Sequence, residues 1–157
     1  MKSDIIFICV GTPSKKNSSS VDLSYVFKAV KKILKYSKKK KIIVIKSTVP
    51  VGTGDQIEKI LKDKKKFIVI SNPEFLREGE AIRDFRYPDR IIVGSNEKSS
   101  VAVMKRLYLP IINKGATYFT INRRGAELVK YASNAFLATK ITFINEIANL
   151  CEKTDVH

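Results

Sequence analysis

The sequence predicts an α/β fold in which a parallel sheet is followed by one long helix. Three short apolar runs, at 4–10, 41–45 and 67–71, indicate strands that are buried on both faces. Helical patterns separate these runs, and this alternation is typical of βαβ units with helices on both sides of a sheet. A last segment, from Ala126 to about Lys153, keeps helical spacing and contains neither Gly nor Pro.

The N-terminal part of the chain predicts one strand and one helix. The run Asp4–Val10 is closed by Gly11-Thr12-Pro13, so the strand is expected to end in a turn. A polar loop follows over 14–20. Asp22 can cap a helix that extends to about Tyr36 and keeps its apolar residues on one face.

The middle of the chain predicts two further buried strands, each followed by a polar turn. The strand 41–45 leads into the turn 46–54, and a helix is expected over about 55–62. The strand 67–71 leads into the turn 72–79, which carries several charged residues.

The C-terminal part predicts two short strands and two helices. The strands are expected at 90–94 and 117–121, and the helix between them runs from Lys98 to Leu109, where Pro110 ends it. The final helix is roughly 28 residues long, or about 40 Å at 1.5 Å per residue. It has an apolar residue on nearly every turn, so we expect it to be buried on more than one side, as a domain connector or a subunit interface.

The composition is that of a globular protein with a basic surface. The 157 residues are 44% hydrophobic, which excludes a disordered tail, and 30 Lys+Arg against 15 Asp+Glu give a formal charge of +15. The lysine runs, at 15–16, 31–32, 38–41 and 64–66, have no interleaved aromatic residues, which favours a solvated surface over a nucleic-acid site. A positive field would still attract an anionic nucleotide. No apolar run approaches the ~20 residues that cross a bilayer, so no membrane partner is expected.

The two cysteines do not indicate a disulfide scaffold or a metal site. Cys9 and Cys151 lie far apart without metal-type spacing, and both are expected to be reduced in a cytoplasmic protein. Cys9 lies within a predicted strand and is interpreted as a small core residue. The single histidine, His157, receives no role.

Three polar loops define the candidate site. The loops 10–14, 47–54 and 72–79 each follow a predicted parallel strand, and the carboxyl ends of such strands meet at one edge of the sheet, where ligands bind. Ser47 and Thr48 offer hydroxyls for a phosphate, a ribose or a nicotinamide amide, or else cap a helix.

The turn Gly52-Thr-Gly54 imitates half of a dinucleotide-binding fingerprint. Because Ile57 stands where the third glycine belongs, we interpret this segment as a turn.

Charged side chains supply the candidates for chemistry. Glu74, Arg77 and Glu78 share one loop and suit acid–base work, or form a surface ion cluster. Lys130 and Asn134 are four residues apart, so they project from one face of the long helix. This pair can hold an oxyanion or a hydroxyl, unless the lysine simply extends to solvent from the helix start.

Four motifs carry a resemblance to a known family. They are Val-Gly-Thr-Pro at 10–13, Lys-Ser-Thr-Val-Pro-Val-Gly-Thr at 46–53, Asn-Pro-Glu-Phe-Leu-Arg-Glu-Gly at 72–79 and Ala-Glu-Leu-Val-Lys-Tyr-Ala-Ser-Asn-Ala-Phe at 126–136. In this order they resemble the UDP-glucose/GDP-mannose dehydrogenases, and Phe-Ile-Asn-Glu-Ile at 143–147 continues the pattern. The resemblance implies an NAD-dependent oxidoreductase that oxidises the C6 alcohol of a nucleotide sugar twice. The form of the second motif is most like members that act on UDP-glucose and make UDP-glucuronate for polysaccharides, with GDP-mannose as the alternative.

The resemblance also implies roles for individual residues. Those implied to bind NAD are Val10, Gly11, Thr12, Pro13, Ser14, Ser47, Thr48, Val49 and Glu78. Those implied to bind the UDP-sugar are Glu74, Phe75, Leu76, Arg77, Glu78, Lys130 and Asn134. Four are implied to be catalytic: Thr48 and Glu74 position a water or the proton acceptor, Lys130 stabilises the oxyanion, and Asn134 fixes it.

The same resemblance implies the domain organisation. Residues 1–123 correspond to the second half of a Rossmann-like NAD-binding domain, and residues 124–157 to the long helix that begins a central dimerisation domain. The Gly-rich NAD motif, the catalytic cysteine segment and the C-terminal nucleotide-sugar domain are expected to be absent. We therefore expect a fragment, inactive alone, that forms a homodimer through its long helix. A non-catalytic dimerisation or interaction module is the alternative.

Overall fold

The computed structural model describes residues 2–16, 18, 20–62 and 66–156. Asn17 and Ser19 of the predicted polar loop, Lys64 and Lys65 of one lysine run, and His157 lie outside the described residues. The elements in chain order are β1 (Ile5–Ile8), α1 (Ser24–Tyr36), β2 (Lys41–Ile45), α2 (Thr53–Leu61), β3 (Phe67–Ser71), α3 (Ala81–Arg86), β4 (Arg90–Gly94), α4 (Lys98–Ile112), β5 (Thr117–Ile121) and α5 (Arg123–Thr154). The predicted α/β class, with a long C-terminal helix, is confirmed.

The sheet has the order β1-β2-β3-β4-β5 and is parallel except at one junction. β1, β2 and β3 pair in parallel, and so do β4 and β5, but β4 runs antiparallel to β3 through the single pair Ser71 and Gly94. A parallel return needs a crossover that packs on the sheet. The only helix in the β3–β4 connection is α3, which has no buried residue and therefore does not pack across the sheet. β4 consequently begins at the edge of the sheet where β3 ends, and it runs in the opposite direction. The predicted parallel sheet is confirmed except at this junction.

Two apolar cores lie on the two faces of the sheet, as the doubly apolar strands predict. On one face, α1 and α2 contribute Val30 and Ile57, which pack with Ile43 and its neighbours. On the other face, α4 contributes Met104 and Tyr108, which pack with residues such as Val93.

Several helix boundaries differ from the predicted ones. Leu23 occupies the N-cap position of α1, although the Asp22 carboxylate accepts a hydrogen bond from the Ser24 N–H at 2.8 Å. α2 begins at Thr53, two residues early. α4 continues past Pro110 to Ile112, because a proline in the last turn removes one hydrogen bond and does not unwind the turns before it. α3 was not predicted, and none of its six residues is buried.

Helix α5 is buried only at its start. Its buried residues are Arg123, Ala126, Glu127 and Lys130, all within the first three turns. Beyond them the helix extends away from the sheet, and its large apolar side chains are exposed: Phe136, Leu137, Ile141, Phe143, Ile144 and Leu150. Nothing among the described residues covers these side chains, so the expected burial of α5 as a domain connector or a subunit interface stays a prediction.

Cys9 is exposed, so its interpretation as a core residue is also wrong. It directly follows β1, which is an edge strand of the sheet. Over the described residues, no helix has the length and apolar character needed to cross a membrane.

Candidate functional site

The first two predicted loops meet at the carboxyl edge of the sheet. β1 and β2 lie side by side in parallel, so the segments that follow them are neighbours. The Thr12 hydroxyl donates to the Thr48 carbonyl oxygen at 2.9 Å, and the Ser47 hydroxyl donates to the Val10 carbonyl oxygen at 2.6 Å. These two side chains therefore hold the loops together, and their neighbours remain available to a ligand.

Two adjoining clefts open at this edge. The apolar cleft has a volume of about 740 Å³ and is lined by Phe7, Cys9, Val10, Gly11, Thr12, Lys46, Ser47, Thr48, Glu74, Leu76, Phe85, Leu107, Tyr108 and Ile111. The charged cleft has a volume of about 570 Å³, and its walls include Glu74, Phe75, Leu76, Arg77, Arg83, Asp84, Asp89 and Arg90. Glu74, Leu76 and Lys46 belong to both clefts, so the third predicted loop forms the boundary between them.

Lys130 reaches this loop from the start of α5. Its ammonium nitrogen lies 3.2 Å from the Oε1 atom of Glu74, and its side chain is 7% exposed. The other oxygen of Glu74 accepts a hydrogen bond from the Leu76 N–H at 2.6 Å, which fixes the carboxylate. The Lys130 ammonium also lies 5.2 Å from the centre of the Phe75 ring. Lys130 is thus a buried, ion-paired lysine and does not extend to solvent.

A small cavity separates Thr48 from Lys130. It has a volume of about 10 Å³, which is close to the space that one water molecule needs, and Ser47, Ser71 and Glu127 also line it. Thr48 and Lys130 therefore line one cavity at the sheet edge although they lie far apart in the sequence, and Glu74 joins them through its contact with Lys130.

Glu127 holds the turn that resembles a dinucleotide fingerprint. Its carboxylate accepts hydrogen bonds from the N–H groups of Gly52 (2.6 Å) and Gly54 (2.9 Å) and from the Ser71 hydroxyl (3.1 Å). The N-terminus of a helix attracts anions, and here the anion is this side chain. The N-terminus of α2 is consequently not free for a phosphate. The interpretation of 52–54 as a turn holds only for Gly52, because Thr53 and Gly54 already belong to α2.

Arg123 fixes the first turn of α5 against α2. Its guanidinium is buried, forms an ion pair with Asp55 and donates to Glu58 at 2.8 Å. Burial acts to lower the pKa of Arg123, but the hydrogen bonds to Glu58 and Asp55 outweigh this effect and raise the pKa above its ordinary value. The sequence analysis missed both Arg123 and Glu127. The only available signal was the placing of charged residues at the start of an otherwise apolar helix.

Lys46 is a further residue that the sequence analysis missed. It directly follows β2, and its ammonium nitrogen lies 3.4 Å from the Asn72 Oδ1 atom. Tyr108 also donates to that oxygen, at 2.5 Å. Burial lowers the pKa of Lys46 to about 8, and the nearby Glu74 carboxylate partly opposes this shift.

Not every predicted site residue lines a cleft. Ser14 pairs with Val21 in an isolated bridge, Val49 is buried in the core, and Glu78 and Asn134 are exposed. With Pro13, these residues line neither of the two clefts, although Val49 lines the small cavity between Thr48 and Lys130. Their roles remain predictions.

Arg77 lines the charged cleft but is committed to an ion pair. Its guanidinium donates to Asp84 at 2.7 Å, and this hydrogen bond lowers the pKa of Asp84 to about 2. The pair joins the loop after β3 to α3, so it shapes the wall of the charged cleft.

Ligand clefts at the carboxyl ends of adjacent parallel strands are characteristic of nucleotide-binding α/β domains, and this chain is a domain of that class. The UDP-glucose/GDP-mannose dehydrogenase family matches it twice, through the NAD binding domain at residues 1–112 and the central domain at residues 124–157. The chain belongs to the UDP-glucose/GDP-mannose dehydrogenase family.

Individual relatives agree with this assignment. A UDP-glucose 6-dehydrogenase of Rickettsia prowazekii is 56% identical over 96% of this chain and 35% of its own length. Among solved structures, a UDP-glucose dehydrogenase from Pyrobaculum islandicum (40% identity, TM-score 0.84) aligns with 92% of this chain and 34% of its own. A GDP-mannose dehydrogenase from Pseudomonas aeruginosa (35% identity, TM-score 0.87) aligns with 98% and 37%. The chain thus spans about a third of the length of the relatives that it matches.

Proposed function

We propose that this chain supplies the substrate-facing wall of a UDP-glucose 6-dehydrogenase, an NAD-dependent oxidoreductase that converts UDP-glucose to UDP-glucuronate. The observation that carries the proposal is the approach of Lys130 to Glu74, at 3.2 Å, beside Thr48. Relatives with UDP-glucose in their names support this substrate over GDP-mannose, and a nucleotide sugar with a diphosphate suits a chain of charge +15.

The side chains have distinct roles in this proposal. When a proton leaves the sugar alcohol, the Lys130 ammonium stabilises the negative oxygen, and Glu74 keeps that ammonium in place. Thr48 faces the cavity of about 10 Å³, where it would orient a single water. Asn134, one turn further along α5, is proposed to contact the substrate with Phe75, Leu76 and the charged cleft.

The described residues fit one end of NAD better than the other. Gly11 and Thr48 in the wall of the apolar cleft would hold a nicotinamide and its ribose, and NAD in that position would accept a hydride. The pyrophosphate requires free N–H groups, and Glu127 occupies those of α2. We therefore propose that residues 1–123 hold the nicotinamide end and that a Gly-rich motif from outside the described residues holds the pyrophosphate.

Binding of UDP-glucose to the chain tests this proposal. Calorimetry should show weak binding of UDP-glucose to the parent chain. Lys130→Met should weaken this binding at least tenfold, because the loss of one charge-assisted contact costs about 1.4 kcal/mol, which corresponds to a tenfold change in the dissociation constant. Lys140→Met is the matched control, since Lys140 is an exposed lysine on the same helix, and it should bind like the parent chain. Equal binding by the Lys130 and Lys140 variants, or tighter binding of GDP-mannose, would contradict the proposal.

We also propose that α5 pairs with a second copy of the chain, in a cytoplasmic homodimer. Its exposed apolar side chains, including Phe136 at 68% and Ile144 at 59%, extend along more than four turns. Light scattering should give twice the chain mass, and Ile144→Glu should give monomers, while Asn149→Glu, at an exposed position on another face of the same helix, should stay dimeric. A monomeric parent chain would refute the pairing. A dimer without nucleotide-sugar binding would instead favour a non-catalytic dimerisation module.

A further inference from the structure

Lys46 is half-buried, and its surroundings differ from those of the buried Lys41 and Lys130. In the part of the chain that the structure describes, Lys41 lies 3.5 Å from Asp4 and Lys130 lies 3.2 Å from Glu74. Among the residues that the structure describes, no carboxylate lies within 4.0 Å of the Lys46 ammonium, whose hydrogen-bond acceptor is the neutral amide oxygen of Asn72. An ammonium group that is partly buried without a carboxylate is destabilised relative to the neutral amine.

The groups that face Lys46 come from four segments of the chain. Glu74, in the loop after β3, favours the protonated amine, and Cys9, which follows β1, acts in the same direction when ionised. Lys130 from α5 disfavours the protonated form, and the Tyr108 ring of α4 lies 5.8 Å from the nitrogen. Burial outweighs the favourable charges and sets the pKa of Lys46 at about 8.

Lys46 is also accessible. It lines both the apolar and the charged cleft, so a ligand entering either one meets its amine. We propose that Lys46 is a reactive amine at the junction of the two clefts and that it forms an imine with aldehyde-bearing ligands. The lone pair of the neutral nitrogen attacks the carbonyl carbon, a C=N bond replaces the C=O bond, and the carbonyl oxygen leaves as water with two protons. No electrons are exchanged, so no oxidant or reductant is required.

Labelling with pyridoxal 5′-phosphate, an aldehyde, tests the proposal on the intact chain. At pH 7 roughly a tenth of Lys46 is neutral, against less than a thousandth of an ordinary lysine with a pKa of about 10.4. After borohydride reduction and digestion, mass spectrometry should show Lys46 labelled at least ten times faster than the exposed Lys98. Its labelling rate should level off above pH 8, while that of Lys98 continues to rise.

Two variants complete the experiment. Lys46→Arg keeps the positive charge and removes the nucleophile, so the fast labelling phase should disappear. Lys98→Arg should leave that phase unchanged. Labelling of Lys46 no faster than Lys98, a rate that still rises through pH 10, or a fast phase that survives in Lys46→Arg would overturn the proposal.

Discussion

Gly94→Ala is expected to destabilise the chain by about 3 kcal/mol, because it adds a methyl group where helix α5 rests on the sheet. A Cβ atom at Gly94 would lie 2.5 Å from the Ala126 Cβ atom, 2.9 Å from the Arg123 Cα atom and 3.0 Å from the Asn122 carbonyl oxygen. Two of these three atoms belong to the backbone, so no side-chain rotation relieves the clash. Urea unfolding should show a lower midpoint, and α5 should lose its contact with β4.

Gly11→Ala is the matched control for this prediction. Nothing lies within 4 Å of a Cβ atom built on Gly11, and its φ angle is not in the left-handed region. We expect a change in unfolding free energy within about 0.5 kcal/mol. Equal stability of the Gly94 and Gly11 variants would show that α5 does not rest on the sheet at this point.

Glu127→Ala is expected to cost a similar amount, about 3 kcal/mol, for an electrostatic reason. The substitution leaves the N–H groups of Gly52 and Gly54 and the Ser71 hydroxyl without their common acceptor. Because the turn after Thr48 is then no longer tied to α5, affinity for UDP-glucose should fall together with stability. Chemical denaturation and calorimetry measure the two effects.

Glu146→Ala provides the comparison, since Glu146 is an exposed glutamate on the same helix. It should unfold like the parent chain. Glu127→Gln, which keeps one acceptor oxygen, is expected to lie between the parent and the alanine variant. If all three variants unfolded at the same urea concentration, Glu127 would not hold the turn.

The sequence predicted the strands well and the direction of β4 poorly, because only the strands have a local signal. The runs 41–45, 67–71, 90–94 and 117–121 match the observed strands, because an apolar run between polar turns is a local signal. The meeting of the loops after the first three strands also follows from local signals, because parallel strands end at one edge. β4 runs antiparallel to β3 because the connection between them does not pack on the sheet, and no pattern of residues in the sequence predicts this.

The candidate site shows the same division. Thr48, Glu74 and Lys130 were identified from their motifs, but the Glu127 carboxylate bonds to groups more than 50 positions away in sequence. Lys46 belongs to one of the motifs, but nothing in the sequence indicates that the pKa of its amine is low. That low pKa results from burial beside Asn72 and Tyr108. Long-range side-chain partners of this kind are fixed by packing and leave no periodicity in the sequence.

The central claim is that Glu74 and Lys130 meet at the edge of the sheet. A double-mutant cycle measures this directly, with unfolding free energies for the parent chain, Glu74→Gln, Lys130→Met and the combined variant. We expect a coupling energy of about 1 kcal/mol or more between the two positions, because the ion pair at 3.2 Å is largely buried. Strictly additive losses, with no coupling energy, would place the carboxylate and the ammonium apart and contradict this claim.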